Sequence, residues 1–298
     1  MIYIITLNWN GYNDTSELLE SLKKINSPEF KVLVVDNNST SDDVNKLKLN
    51  YKGFIDVIEC DTNLGFAGGN NVGINKALNE NADYILLINN DTIVELNFLN
   101  VLINKILSEE DIGIVAPQIN YYDEPEKIWS AGGKINKIRG AGVALENIYE
   151  KDKIGNDRFV DFVSGCCMLI RKDVFRKAGL FDDSFFLYVE DTDFCFRVRK
   201  AGYKILLTPS SKIFHKVYKS SRDNMPTLPL YYTTRNRLFL AKKNFPIYLP
   251  LTFFYIFLTM LLKSLAWLFT GKVQNINSVL KSFKDFLSRK MGSANFYS

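Results

Sequence analysis

An apolar segment with strand character runs directly into a carboxylate in the first third of the chain. Tyr84–Ile88 is followed by Asn89, Asn90 and Asp91. In open α/β sheets the ligand crevice lies at the carboxyl ends of the strands, and a carboxylate there can hold a divalent cation against a diphosphate. An acid after a strand is more often a turn residue or a helix cap. The motif alone therefore leaves both roles open.

Three further polar clusters follow predicted strands and should meet Asp91 at one edge of the sheet. They are Thr6–Asn10, Asp36–Ser39 and Asn63–Asn71. Asp36 can accept hydrogen bonds from a ribose hydroxyl or a base N–H, although it could equally cap a helix. The third cluster has glycines that let a ligand approach the backbone and asparagines whose amides bind bases or phosphates. It follows the third strand and lacks G-x-G-x-x-G spacing, which excludes a nicotinamide site.

The second half of the chain carries a group of acids and the only histidine. One acid of Glu190–Asp193 can act as a general base, because an exposed or hydrogen-bonded carboxylate is ionised at neutral pH. His215 follows a short predicted strand, Lys212–Phe214, although a lone histidine is more often structural. Asp91 and His215 are candidate ligands of one Mg²⁺ or Mn²⁺ ion, with diphosphate oxygens completing the shell.

Strand and helix signals alternate through the first half, which predicts a mostly parallel, doubly wound sheet flanked by helices. An α+β fold with an antiparallel sheet is the alternative. The predicted strands are Ile2–Leu7, Lys31–Val35, Phe54–Glu59, Tyr84–Ile88 and Ile112–Ala116. The predicted helices between them are Asp14–Ile25, Asp42–Leu49, Asn71–Leu78 and Leu96–Leu107. Residues 118–162 predict hairpins or loops, followed by strands Phe162–Ile170 and Lys204–Thr208 and a further strand near Ile213.

Composition and charge set the broad class. With 47% hydrophobic and 23% charged residues, the chain has the composition of an ordinary globular protein. The four cysteines show neither metal-site nor disulfide spacing, which favours a reducing compartment. A strand begins almost at the N-terminus, so no secretory leader is expected. Asp285 is the only acid among the many Lys and Arg of residues 235–298, while the rest of the chain is net acidic. This asymmetry predicts two surfaces with different partners.

Residues 245–298 combine an apolar segment with a basic, amphipathic one. Ile247–Leu262 would extend roughly 24 Å as a helix, which is short of the about 20 residues that a clean membrane span requires. Beyond it, an apolar stripe at helical spacing is flanked by lysines. This pattern favours helices lying in the plane of an anionic membrane surface. A membrane span and a core or oligomer helix are the alternatives.

Together these motifs resemble the family 2 inverting glycosyltransferases over nearly the whole chain. The nucleotide-sugar-binding half is carried by Thr6–Gly11, Val35–Ser39, Asn63–Asn70 and Asn89–Thr92. The acceptor half is carried by Phe162–Gly165, Phe181–Phe185, Glu190-Asp191 and Arg197–Tyr203. Tyr231–Arg237 and the basic tail resemble the rhamnosyltransferase-like branch in particular. The resemblance implies a GT-A fold, an α/β nucleotide-diphospho-sugar transferase fold, with a C-terminal helical, membrane-associating appendage.

The resemblance also implies a domain division and site residues. Residues 1–227 would form the catalytic domain, with a nucleotide-sugar half (1–117) and an acceptor half (118–227), and 228–298 the basic helical region. Asp191 matches the catalytic base, and Asp91 and His215 match the metal ligands. Asparagine replaces the first acid of the usual D-x-D motif here. The expected donor contacts are Thr6, Asn8, Asp36, Asn38, Asn63, Gly65, Phe66, Asn70, Asn89, Asn90 and Asp91. The expected acceptor contacts are Trp129, Gly165, Cys166 and Glu190.

The expected reaction is a single in-line displacement that moves a sugar to a hydroxyl of a lipid-linked or cell-surface glycan precursor. dTDP-rhamnose is the favoured donor, and UDP-hexoses or UDP-galactofuranose are alternatives. The protein is expected at the cytoplasmic face of the membrane as a peripheral enzyme, without a nucleic-acid partner and with homo-oligomerisation left open. A nucleotidyltransferase would require a glycine-rich basic loop after the first strand, and a non-catalytic scaffold would not require Asp191.

Overall fold

The computed structural model describes residues 1–145, 148–149, 155–217 and 227–294. The boundary expected at residue 227 adjoins 218–226, which lie outside these ranges. The helices are α1 (Tyr12–Leu22), α2 (Asp43–Asn50), α3 (Gly65–Asn79), α4 (Phe98–Ser108), α5 (Lys172–Ala178), α6 (Glu190–Lys200), α7 (Thr227–Asn244), α8 (Leu249–Phe269) and α9 (Val273–Leu287). The first strands are β1 (Ile2–Asn8), β2 (Phe30–Asp36), β3 (Ile55–Glu59), β4 (Tyr84–Ile88), β5 (Thr92–Val94) and β6 (Ile112–Tyr121). The remaining strands are β7 (Lys127–Ser130), β8 (Gly133–Asn136), β9 (Ala141–Ala144), β10 (Ile148–Tyr149), β11 (Arg158–Val160), β12 (Cys167–Arg171) and β13 (Lys204–His215).

One large mixed sheet carries the site, with apolar cores on both of its faces. Its strand order is β10-β7-β6-β12-β4-β1-β2-β3, and β13 pairs with β6, β5 and β11. The strands β3-β2-β1-β4 are parallel, as the β/α alternation predicts. Beyond β4 the sheet is mixed, because β12 runs antiparallel between β4 and β6. The α/β class with a central sheet and flanking helices is confirmed.

Helix α3 begins at Gly65, so most of the glycine-rich segment expected to precede a helix at Asn71 is itself helical. A Cβ on Gly69 would lie 3.0 Å from Leu7 Cδ2, and one on Gly73 would lie 2.6 Å from Ile5 Cγ2. Glycine is a poor helix former, but here it allows the helix to pack closely against β1. The predicted start of this helix at Asn71 was wrong, because the glycines before it are helical and serve packing.

Two strands are longer than predicted, and one was missed. β6 continues to Tyr121, and β13 runs through the positions expected to separate two strands, with an irregularity between Thr208 and Lys212. The missed strand β5 pairs with the end of β13 and places Thr92 opposite His215. This pairing brings the end of β13 to the residues that follow β4.

The C-terminal helices pack on the sheet domain and on each other. Apolar residues of α7, α8 and α9 form a small core, and Tyr231 of α7 donates a hydrogen bond of 2.7 Å to Asp285 of α9. Arg235 is fully buried and donates to the Gly292 carbonyl and to the Tyr231 hydroxyl. The segment Pro246–Phe269 has 24 residues and a mean hydropathy of 1.7, so its length and composition would also allow it to cross a membrane.

Candidate active site

A cavity of about 330 Å³ lies at the carboxyl ends of the parallel strands, and we refer to it as the strand-end cavity. The predicted donor residues that line it are Asn63, Gly65, Phe66, Asn70, Asn89, Asn90 and Asp91. It also contains residues that were not predicted donor contacts, namely Leu7, Trp9, Asn37, Ile88, Phe186, Leu187 and Leu228, and the predicted acceptor contact Gly165. The structure therefore brings residues of all four strand-end clusters together.

The other predicted donor contacts, Thr6, Asn8, Asp36 and Asn38, do not line this cavity, and their contact with a donor stays a prediction. Thr6 and Asn8 are fully buried, and Asp36 is 3% exposed. The Asn8 amide donates to Asp36 Oδ2 at 2.8 Å and to Asp43 Oδ2 at 3.0 Å. Asn38 is exposed, with a positive φ of 65°. Asn8 and Asp36 therefore form their hydrogen bonds within the protein interior, because a buried carboxylate requires donors from the protein.

Asn37 faces the strand-end cavity in place of its neighbour Asp36. Its amide donates to the Gly65 carbonyl at 3.0 Å, and its Oδ1 accepts from Leu64 N at 2.9 Å. These bonds hold the start of α3 against the end of β2. Successive side chains of a strand point to opposite faces. This alternation was the signal in the sequence that Asn37 could face the cavity if Asp36 does not.

Asp91 and His215 form the polar contact between the two halves of the site. His215 Nε2 lies 3.1 Å from Asp91 Oδ2, and the Trp129 ring packs edge-on against the imidazole with centroids 4.4 Å apart. Asp91 Oδ1 and His215 Nδ1 are buried and have no hydrogen-bond partner among the described residues. Two buried polar atoms without partners indicate that a further group belongs at this site.

The Asp91 carboxylate and the His215 imidazole are suited to bind a divalent cation. A carboxylate oxygen and an imidazole nitrogen are both common ligands of Mn²⁺, and Mg²⁺ favours carboxylate oxygens and the oxygens of a bound phosphate. Within the described ranges no group of three or more His, Cys, Asp or Glu side chains could hold a metal. Asp91 and His215 therefore fit a cation only if a ligand such as a diphosphate supplies the remaining oxygens.

A second cavity, of about 640 Å³, adjoins the first one and contains the predicted base, so we refer to it as the Asp191 cavity. The two cavities meet at Asp91. All the predicted acceptor residues line the Asp191 cavity, namely Trp129, Gly165, Cys166 and Glu190. The antiparallel pairing of β12 with β4 explains this convergence, since it places Cys166 beside Asn89, whose N–H donates to the Cys166 carbonyl at 2.8 Å.

Asp191 is held by donors from two segments. Its Oδ2 accepts from Gly165 N at 3.0 Å, and its Oδ1 accepts from Thr192 N at 2.6 Å. Burial raises the pKa of the Asp191 carboxyl, and these hydrogen bonds oppose the rise. Burial raises the pKa of Glu190 well above its usual range, and the charge of Asp191 raises it further. Glu190 therefore holds its proton to higher pH, and Asp191 is the member of the pair that ionises first.

The loop Phe186–Val189 presents Glu190 and Asp191 in an unusual backbone conformation. Phe186, Tyr188 and Val189 have positive φ values of 63°, 67° and 75°. Such values cost roughly 1–3 kcal/mol per residue, so the surrounding structure must compensate for them. The buried Asn236 amide of α7 donates to the carbonyls of Phe185, Leu187 and Tyr188 at 2.8, 2.9 and 2.8 Å. Asn236 was not predicted, because nothing in its local sequence links it to this loop.

Cys166 lies in the Asp191 cavity but is not a nucleophile. Burial raises the pKa of its thiol well above the usual range, and the charge of Asp91 adds to this. A protonated, buried thiol is unreactive. All four cysteines are free in the structure.

The chain is similar to several known proteins. The chain matches the model of glycosyl transferase family 2 over residues 2–179. It is 29% identical over 254 residues to the low-salt glycan biosynthesis hexosyltransferase Agl10 of Haloferax volcanii, covering 81% of this chain and 75% of Agl10. It is 26% identical over 235 residues to the rhamnosyltransferase WbbL of Escherichia coli K12, covering 75% of this chain and 85% of WbbL.

A third relative and a solved structure extend the comparison. The N-acetylglucosaminyl-diphospho-decaprenol L-rhamnosyltransferase of Mycobacterium tuberculosis is 23% identical over 263 residues, covering 81% of this chain and 84% of the relative. The crystal structure of GalNAc-T7 with UDP, GalNAc and Mn²⁺ superposes with a TM-score of 0.67 at 16% identity. The match covers 83% of this chain and about half (49%) of GalNAc-T7, and it shows that the two proteins share the GT-A fold.

Proposed function

The chain belongs to glycosyl transferase family 2, rhamnosyltransferase-like branch, and we propose that it moves a sugar from a nucleoside diphosphate to an acceptor hydroxyl with inversion of configuration. The observation that carries this proposal is the placement of Asp191 and the Asp91–His215 pair in one cavity. A base for the acceptor and a binding site for the donor diphosphate then lie on either side of the reacting carbon. A single displacement at this anomeric carbon inverts its configuration.

Asp191 accepts the proton of the acceptor hydroxyl as its oxygen forms a bond to the anomeric carbon. The bond from that carbon to the diphosphate oxygen breaks, and the nucleoside diphosphate leaves with the electron pair. The donors from Gly165 and Thr192 keep the Asp191 carboxylate ionised and oriented. Glu190, whose pKa burial raises, lines the same cavity, and in its protonated form its O–H can donate to a hydroxyl of the acceptor.

Asp91 and His215 are the residues that would hold Mg²⁺ or Mn²⁺ together with the donor diphosphate. The cation would supply positive charge that stabilises the departing diphosphate. The buried, unpartnered Asp91 Oδ1 and the position of His215 Nε2, 3.1 Å from Asp91 Oδ2, support this assignment. Trp129 packs against the imidazole and limits its rotation. The asparagines Asn37, Asn63 and Asn70 lining the strand-end cavity offer amide groups to the donor.

For the substrates, we propose dTDP-rhamnose as donor and a lipid-linked glycan precursor as acceptor. The names of WbbL and of the mycobacterial relative, which specify rhamnosyl transfer, support this donor. The mycobacterial name, which includes diphospho-decaprenol, supports this acceptor. The name of Agl10 specifies hexosyl transfer, so a UDP-hexose or UDP-galactofuranose is the second candidate donor. Residues 1–117 would bind the donor, 118–227 the acceptor and 228–298 the membrane.

The surface of α8 supports peripheral attachment at the cytoplasmic face of the membrane. Thr252, Ile256 and Met260 are buried, so one face of the helix packs on the protein. The opposite face exposes Ile247, Leu251, Phe254, Phe257, Leu258, Leu261, Leu262, Leu265, Leu268 and Phe269. The basic tail adds attraction to anionic lipids. Because α8 is covered by protein along one side and apolar along the other, we propose that it lies in the plane of the membrane.

A donor screen tests the proposed reaction. Purified protein with Mn²⁺ is expected to melt roughly 5 °C higher with its true donor at about 100 times Kd. It should then transfer the sugar to a lipid acceptor extract, and the product should have the inverted anomeric configuration. Binding of nucleotide sugars without any turnover would support the non-catalytic scaffold instead. Absence of both binding and turnover across dTDP- and UDP-sugars would contradict the proposal.

Flotation on vesicles tests the membrane surface. Deleting the tail would not be a clean test, because Asp285 and Gly292 bond to α7. The double substitution Phe254→Glu and Leu262→Glu places charges on exposed positions and should weaken binding to phosphatidylglycerol vesicles by roughly 10-fold or more. Leu49→Glu, on the exposed surface of α2, is the matched control. Equal flotation of the double variant and wild type would rule out this face of α8.

A further inference from the structure

A third cavity, of about 450 Å³, continues from the Asp191 cavity toward α8, and we refer to it as the Arg139 cavity. Trp129, Thr233 and Arg237 line both the Asp191 and the Arg139 cavities. The far side of the Arg139 cavity is formed by Arg139 and by Tyr255, which lies on the apolar helix α8. A continuous path therefore leads from the catalytic base, past two arginines, to the surface proposed to face the membrane.

The two arginines of this path form no ion pair with an acid among the described residues. Arg237 Nε donates to the Arg139 carbonyl at 2.7 Å, and its guanidinium lies 5.8 Å from the centre of the Tyr255 ring. Burial lowers the pKa of Arg237. No carboxylate in the described part of the chain lies within 4.0 Å of either guanidinium. Because a half-buried cation is costly without a counter-charge, an anion is expected to bind here.

The turn between β8 and β9 holds the backbone of Arg139 against Arg237. Gly140, next to Arg139, has a φ of +60°, and a Cβ there would lie 2.7 Å from the Arg237 carbonyl oxygen. The hydroxyl of Thr252 on α8 donates to the Lys137 carbonyl at 2.8 Å. The turn between β8 and β9 is thereby fixed to both α7 and α8. Arg237 is half-buried and bonded to the Arg139 carbonyl, and the exposed Arg139 side chain lines the same cavity. Guanidinium groups are well suited to bind phosphate oxygens, which Arg contacts in a bidentate manner.

We propose that Arg237 and Arg139 bind the phosphate groups that join the acceptor sugar to its lipid. This inference rests on the proposed function and specifies its acceptor as a lipid diphosphate. The order of groups along the path is a base, then two cations, then an apolar helix. It matches the order of groups in such a substrate, which is a sugar hydroxyl, then a diphosphate, then a hydrocarbon chain. The lipid would leave the Arg139 cavity beside Tyr255 and continue along the exposed face of α8.

Farnesyl diphosphate is the probe for this site, measured by calorimetry with EDTA present so that Asp91 and His215 hold no cation. Wild-type protein is expected to bind it, and Arg237→Met is expected to bind roughly 10- to 100-fold more weakly, since charge-assisted hydrogen bonds are lost. Arg237→Lys keeps the charge and should recover part of the affinity. Arg176→Met is the matched control, because Arg176 is on the exposed surface of α5.

Two further ligands distinguish the contribution of the phosphate groups to binding from that of the hydrocarbon chain. Farnesol should bind more weakly than farnesyl diphosphate, and inorganic pyrophosphate should compete with the latter in wild type but not in Arg237→Met. Equal affinity of wild type and Arg237→Met for farnesyl diphosphate would overturn the proposal, and so would equal affinity of farnesol. If Arg237→Met does not fold, Arg139→Met gives the same comparison at an exposed position.

The binding assay uses no donor, so its outcome is independent of the proposed function. A protein that turns over a nucleotide sugar but does not bind farnesyl diphosphate would refute only the lipid-phosphate site. A protein that binds farnesyl diphosphate through Arg237 but turns over no nucleotide sugar would refute the glycosyl transfer.

Discussion

The two halves of the active site are held together in different ways. In the donor half, the polar residues at the strand ends bond to one another within the N-terminal part of the chain, as Asn8 does with Asp36 and Asp43. In the acceptor half, Asp191 follows the strained loop Phe186–Val189, whose carbonyls are held by Asn236 from α7. The donor half is therefore supported locally, whereas the base depends on the C-terminal helices.

This difference assigns two roles to the C-terminal region. Its outer surface is the proposed membrane contact, and its inner surface holds the loop that precedes Asp191, the proposed base. Arg235 links these roles, since it donates to the Phe185 carbonyl on one side and to the Gly292 carbonyl on the other. Changes in the acceptor half should therefore lower kcat, and changes in the donor half should weaken donor binding.

The largest effect is expected at the base. Asp191→Asn should lower kcat by about 10²- to 10⁴-fold, the usual contribution of a general base, while the donor still raises the melting temperature as in wild type. Sugar transfer by the purified variant and thermal shift are the measurements. Asp173→Asn, at an exposed acid of α5, is the control. If donor turnover survives in Asp191→Asn, the assignment of the base is wrong.

The next effect is expected at Asn236. Asn236→Ala removes the donor to three loop carbonyls and should lower kcat by roughly 10²-fold, because a small displacement of the base is costly, with donor affinity unchanged. Asn244→Ala is the control on the same helix, since the Asn244 amide bonds to Asp193 and not to the loop. Equal losses of kcat in both variants would show that Asn236 stabilises the fold in general and does not position Asp191.

The donor half provides the contrasting test. Asn8→Ala leaves the buried Asp36 and Asp43 carboxylates without a shared donor and should lower the free energy of unfolding by about 1–3 kcal/mol. Donor affinity should fall with it, and kcat at saturating donor should remain near wild type. Denaturant unfolding and donor titration are the measurements, with Asn45→Ala at an exposed position as control. A fall in kcat with unchanged donor affinity would contradict the division between the halves.

The smallest effect is a change in the pH dependence of stability at Glu190. Burial raises the pKa of Glu190 above its value of 4.5 in the unfolded chain. The folded protein therefore holds this proton more tightly, and the free energy of unfolding falls as the pH rises above that value. Glu190→Gln, which cannot ionise, should melt higher than wild type at pH 7–8, with the difference shrinking toward pH 4.5. A constant difference across this range would show that Glu190 is not protonated in the folded state.

The strand-end clusters could be predicted because the carboxyl ends of parallel strands share one edge of a sheet. This reasoning placed Asn63, Asn70 and Asn89–Asp91 in one cavity, as the structure shows. It did not establish whether Asp36 or Asn37 faces the cavity. Neighbouring residues at a strand end face opposite sides, so only one of the two can face it. The choice between them depends on which side chain finds buried partners, and for Asp36 these are Asn8 and Ser39.

The sequence by itself determined the α/β class, the family resemblance and the residue types that perform the chemistry, because these follow from local periodicity and short motifs. Only the tertiary structure decided that β5 brings His215 to Asp91, that Asn236 holds the loop before Asp191, and that Arg237 lines both the Asp191 cavity and the Arg139 cavity beside α8. These contacts join residues far apart in the chain. Pairing of that kind depends on strand register and helix packing, which local sequence does not encode.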